Sequence, residues 1–115
     1  MSMSDQQLLE LAAKAAGIGP VLCYESARNR LRIGPRSNYR LWNPLDDDSA
    51  ALSLARSLGI CIQFIPHCDT VQAYQEREFT AEPFNVHVAA LGDIETRRVI
   101  TQAAAEIGKA VQEKH

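Results

Sequence analysis

From Ile94 to Val111, the apolar residues Ile94, Val99, Ile100, Ala103, Ala104, Ile107 and Val111 recur at helical spacing. Such a set lies on one stripe of an α-helix; a strand, whose side chains alternate between two faces, cannot gather it on one side. A stripe this long must be covered by other apolar surface, so the rest of the chain has to supply partners for a C-terminal helix. That helix is predicted to start after Asp93 as its N-cap. Two more helices have marked ends. In residues 4–17, Ser4 and Gln7 have the spacing of a capping box. Leu8, Leu11, Ala12, Ala15 and Ala16 form the stripe, and Gly17 ends the helix. In residues 45–58 the stripe is Ala50, Ala51, Leu54, Ala55 and Leu58, with Gly59 as the stop.

The segments between the helices read as short strands. Val21, Leu22 and Tyr24 favour one strand, and Arg30, Leu31, Arg32 and Ile33 alternate as a second. "GPRSN" at 34–38 is a loop, and "YRLW" is a short third candidate. "ICIQFI" at 60–65 is almost wholly apolar and is therefore predicted to be a central strand. "TVQAYQ" and "FNVHVAAL" follow, separated by the polar turn "EREFTAEP"; Val86 and Val88 face one way and His87 the other. Consecutive strands with short turns pair antiparallel. The predicted fold is α+β, with three helices packed on a mainly antiparallel sheet of about four to five strands, in the order α-β-β-α-β-β-α. Residues 1–115 form a single domain in this reading.

Charge and cysteine usage narrow the function. The net charge of −2 disfavours binding to long nucleic acid. No apolar run reaches membrane-spanning length, so no membrane partner is expected. "MSMSDQQ" has neither the basic start nor the apolar core of a signal peptide, which leads to the expectation of a cytoplasmic protein. Cys23, Cys61 and Cys68 are odd in number and widely spaced, as expected of free thiols. "HCD" at 67–69 offers His67, Cys68 and Asp69. Neighbours along a strand point to opposite faces, and adding Cys61 and His87 gives no standard metal-ligand spacing. There is no phosphate loop, G-x-S-x-G or H-E-x-x-H motif. No cofactor and no metal is expected.

Three aspartates in a row follow Trp42 in "WNPLDDDSAALSLARSLGI". A calcium loop starting at Asp46 would need glycine at its sixth position and glutamate at its twelfth; these are Ala51 and Ser57. The run fits the start of a helix better. Asn43 or Asp46 can cap, Pro44 suits the first turn, carboxylates meet the positive end of the helix dipole, and Trp42 can staple the start.

The arginines are more specific. The chain has nine arginines and only three lysines, and five of the nine are Arg28, Arg30, Arg32, Arg36 and Arg40. Period two puts Arg28, Arg30 and Arg32 on one strand face. Guanidinium binds phosphate through a planar fork, and Tyr39 and Trp42 are placed to stack a base. The candidate ligand site is therefore Arg28, Arg30, Arg32, Arg36, Arg40, Tyr39 and Trp42. The alternative is a solvated face paired with Glu25 and Asp46–Asp48.

"LLELAAKAAGI" at 8–18, "WNPLDDDSAALSLARSLGI" at 42–60 and "TRRVITQAAAEIG" at 96–108 together resemble a family of short tailed-phage and prophage proteins with a phage-type α-β-α sandwich domain. Ser49 stands where that pattern has a glycine, and residues 61–92 depart from it. The resemblance implies a phage accessory protein, not an enzyme, in the cytoplasm of a bacterial host. The leading expectation is a counter-defence binder that captures a small phosphate-bearing, nucleotide-type host signal. The second is a protein–protein interaction module acting on a host protein. The third is a small hydrolase or metal protein using His67, Cys68 and Asp69. A homodimer is also expected, with Ala103 and Ala104 admitting a second helix closely.

Overall fold

A computed structural model describes residues 3–113. Helix α1 (Asp5–Ala16) leads into strands β1 (Val21–Glu25), β2 (Arg30–Ile33) and β3 (Arg40–Trp42). Helix α2 (Asp48–Leu58) precedes β4 (Cys61–Ile65), a 3₁₀ turn at Pro66–Cys68, β5 (Thr70–Glu76) and β6 (Pro83–Ala90). Helix α3 (Asp93–Glu113) closes the chain. Among the described residues the fold is α+β, with three helices and antiparallel strands throughout. The strands make two sheets of three, β1-β2-β3 and β4-β5-β6, rather than one sheet of four to five. Helix α2 separates the two strand groups in the chain, and each group closes on itself through local turns.

The caps act largely as the sequence indicates. The Ser4 hydroxyl accepts from Gln7 N while the Gln7 side chain accepts from Ser4 N, and Gly17 ends α1 in the left-handed conformation. The most buried residues of α1 are Leu8, Leu9, Ala12 and Ala13, so its covered face is rotated from the predicted stripe. Helix α2 begins three residues later than predicted. Pro44–Asp46 form a turn, and Asp47, not Asn43 or Asp46, is the cap, accepting from Ser49 N at 3.0 Å. Asp93 lies inside the first turn of α3 rather than before it, and the Gly92 carbonyl accepts from the Thr96 amide and hydroxyl.

Helix α3 is the hub of packing. It contacts α1, α2, β5 and β6, and Val99, Ala103, Ala104 and Ala105 are fully buried. Helix α3 packs against α1 of the same chain at Gly108; Ala104, one turn before Gly108, shares that face, and Ala103 is buried elsewhere in the core. The middle of the stripe, Val99, Ile100, Ala103 and Ala104, is buried inside the molecule, which removes the reason for expecting a dimer through Ala103 and Ala104, while Ile94 and Val111 at its ends stay exposed. At Gly108 the two helices come so close that an added Cβ would lie 2.0 Å from the Leu11 carbonyl oxygen.

The strand "CIQFI" is not central. β5 is the middle strand of its sheet, and β4 is an edge. A sheet covered by helix on one face only needs alternation in its middle strand, which β5 has. Val71 and Ala73 are buried toward α3, while Gln72 and Tyr74 face outward. An unbroken apolar run would mark a middle strand only if both faces were covered.

A bulge in β6 re-aims its inner face. Ala73 pairs with His87 and Gln75 with Phe84, leaving one extra residue in β6. Asn85 takes the left-handed conformation there (φ 52°), which asparagine tolerates well. Its amide donates to Gln75 Oε1 at 3.1 Å and to the Ala103 carbonyl at 2.9 Å, tying sheet to helix. Val86 and Val88 face outward, opposite to His87, as the alternation predicts.

Candidate ligand-binding site

The β1-β2-β3 sheet turns Leu31, Ile33 and Trp42 inward. Cross-strand pairing puts Cys23 and Leu41 beside Arg32, and Glu25 beside Arg30, on the opposite, uncovered side. Arg30 and Arg32 therefore share one open face. Arg28 is not on the strand as predicted but in the turn Ser26–Asn29. It is brought to the same group by Glu25, which it grips through both Nε and Nη2. Arg32 donates to the same carboxylate, 2.8 Å from Nε and 2.7 Å from Nη2 to Oε2. Its guanidinium carbon lies 4.9 Å from the centroid of the Tyr39 ring, in cation–π contact. Arg30 pairs with Asp46 at 3.1 Å. Three guanidinium groups thus meet two carboxylates, leaving an excess of positive charge on an open surface.

Three members of the predicted site are not part of this group. Trp42 is 9% exposed and packs in the core with Leu31 and Leu45, so it offers no ring to a ligand. Arg40 pairs with Ile33, which puts it on the side opposite Arg30 and Arg32. Arg36 is exposed in the turn after β2 and has no ion-pair partner among the described residues. The assembled core of the site is Arg28, Arg30, Arg32 and Tyr39, organised by Glu25.

Glu25 feels this setting directly. Hydrogen bonds from Arg28 and Arg32 hold its carboxyl at about 2, well below the usual glutamate range. A carboxylate whose folded pKa is depressed contributes stability above its unfolded pKa and loses it as pH falls toward the folded one. The urea midpoint of the wild type is therefore expected to fall as pH drops from about 4.5 to 2. Glu25→Gln should flatten that part of the profile. Identical profiles for the two proteins would show that the pairing contributes nothing in solution.

The polar network beneath the face was not foreseen. Asn29, left-handed in the same turn, accepts from the Tyr24 hydroxyl, donates to Asp5 at 3.0 Å, and offers its carbonyl to the Asn43 amide. Asn43 Oδ1 accepts from Leu45 N at 2.7 Å. The Trp42-Asn43-Pro44 stretch, read as a helix start, is buried throughout and ties the arginine-bearing turn to the approach to α2.

The remaining candidates are dispersed. His67 and Cys68 are exposed in the 3₁₀ turn, and Asp69 follows in the left-handed conformation. Cys61 pairs with Tyr74 and His87 with Ala73, adjacent positions of β5, so the two point to opposite faces of the sheet. Among the described residues no three His, Cys, Asp or Glu side chains gather as metal ligands. His87 is half-buried against α3 and hydrogen-bonds Asn85; burial lowers its pKa and the Glu106 carboxylate opposes that shift. Among the described residues no helix is long and apolar enough to cross a membrane.

Sequence reasoning also missed a groove of about 330 Å³ between α2, β4 and the start of α3, lined by Ala51, Leu52, Ile62, Phe64 and Ile100 with Asp48 and Asp93 at its edge. The one local signal is Leu52, a large apolar residue outside the buried stripe of α2 and 61% exposed. No protein-family model, curated protein or solved structure matches the chain.

Proposed function

We propose that the chain is a non-enzymatic binding protein that takes a small phosphate-bearing, nucleotide-type ligand on the open face of the β1-β2-β3 sheet. The observation that carries this reading is the gathering of Arg28, Arg30 and Arg32 around only two carboxylates, with the Tyr39 ring already in contact with a guanidinium. Arginine forks suit phosphate oxygens, an aromatic ring beside them suits a base, and a chain of net charge −2 favours a small ligand over a long duplex. Glu25 acts as an internal occupant, holding Arg28 and Arg32 in place until a phosphate competes for them. The resemblance to short phage proteins makes a host signal the natural ligand to test.

Calorimetry against a panel of linear and cyclic nucleotides tests the reading. At least one nucleotide is expected to bind, more weakly at higher salt because the contacts are ionic and exposed. Arg30→Glu with Arg32→Glu should abolish that binding; because both changes also set a carboxylate beside Asp46 or Glu25, circular dichroism checks that the variant stays folded. Glu25→Gln should strengthen it by releasing two guanidinium groups. No heat with any nucleotide, or equal affinity in the double variant, would leave these arginines as a solvated, internally paired face. A second reading, a protein–protein module, is favoured by the exposed Leu52 and Phe64 at one groove.

A further inference from the structure

The groove between α2 and β4 has two unlike walls. On one side α2 presents Ala51 and Leu52; on the other, β4 presents Ile62 and Phe64, whose cross-strand partners Ala73 and Val71 are buried toward α3. Ile100 of α3 also lines it. Leu52 is 61% and Phe64 55% exposed, an unusual cost for two large apolar side chains beside one depression. Strand β4 is also an edge. Its only strand partner is β5, and on its other side the backbone N–H and C=O groups of Cys61–Ile65 meet no strand among the described residues. An unpaired edge beside an apolar trough is the arrangement that accepts an extended segment as an added strand. Main-chain hydrogen bonds hold the segment, and alternate side chains enter the trough.

The rim sets the chemistry of the guest. Asp48 and Asp93 border the groove, and the one cation there, Arg97, is already engaged, with Nη1 2.6 Å from Asp48 and Nε 3.0 Å from the Leu45 carbonyl. Asp93 has no ion-pair partner among the described residues. Asp48 and Arg97 offset each other, so among the described residues the net charge of the border is that of Asp93 and no free cation lines it, which disfavours acidic guests. We propose that this groove docks an extended segment of a partner protein, with alternating apolar side chains flanked by lysine or arginine, paired to the free edge of β4. The site lies apart from the arginine face and does not depend on it, so either can fail alone.

A displayed library of random nonapeptides, panned on the wild type and on the Leu52→Asp/Phe64→Asp double variant, tests this. Both substitutions are at exposed positions, and circular dichroism with thermal melting checks that the variant is folded. The wild type is expected to enrich sequences with apolar residues at alternate positions and basic residues at their ends, and the variant should not. With the most enriched peptide bound, amide exchange should slow along Cys61–Ile65, a response that side-chain contact alone would not give. Lack of enrichment over the folded variant, enrichment of acidic sequences, or unchanged exchange in β4 would each overturn the proposal. The Arg30→Glu/Arg32→Glu protein should enrich the same peptides as the wild type.

Discussion

Gly108→Ala is expected to destabilise the protein by at least about 3 kcal/mol, at the upper end of what overpacking costs. Helix propensity alone predicts the opposite sign, because alanine is favoured over glycine in a helix interior by about 1 kcal/mol. The contact decides. The added methyl would lie 2.0 Å from the Leu11 carbonyl oxygen and 2.8 Å from its carbon, and both are backbone atoms of α1. No rotamer change relieves such a clash; one helix must move off the other. Since α3 also contacts α2, β5 and β6, that movement disturbs the packing at the centre of the molecule. At this chain length the loss should lower the melting temperature by roughly 10 °C or more. A melting temperature equal to or above that of the wild type would mean that α1 and α3 do not pack as described.

Asn43→Ala is the second large effect. Asn43 is 1% exposed, and its side chain joins the Asn29 carbonyl to the Leu45 amide. Truncation strands both backbone groups, at about 1–3 kcal/mol for each buried group left unpaired. A loss of about 2–4 kcal/mol is expected, read as a lower urea midpoint. Asn43→Asp should not rescue it, because a carboxylate keeps the acceptor for Leu45 but faces the Asn29 carbonyl with charge. Because Asn29 sits in the turn that carries Arg28, Asn43→Ala should also loosen the arginine face. A near-neutral Asn43→Ala would reduce the Trp-Asn-Pro stretch to an ordinary helix approach.

The helices were legible because their signals are local. Ser4 with Gln7, Gly17 and Gly59 announce ends within four residues, and the α3 stripe repeats often enough to be unmistakable. Sheet organisation was less legible. Whether "CIQFI" is central depends on what covers each of its faces, and that is decided by α3, some thirty residues away. The arginine reading shows both sides of this. Clustering and period two correctly joined Arg30 and Arg32, but placing Arg40 needed its register with Ile33. The burial of Trp42 follows from its pairing with Leu31, which no single segment reveals. The α2–β4 groove draws on residues 48–52, 62–64 and 93–100, so only the misplaced Leu52 pointed to it.

The most direct test of ligand binding at the arginine face is residue-resolved nuclear magnetic resonance of the uniformly labelled protein during titration with the nucleotide that gives the largest heat. Shift changes are expected to centre on Glu25, Arg28, Arg30, Arg32 and Tyr39, and to vanish in Arg30→Glu/Arg32→Glu. Changes confined to the β4 edge, or scattered without a centre on these residues, would contradict the account.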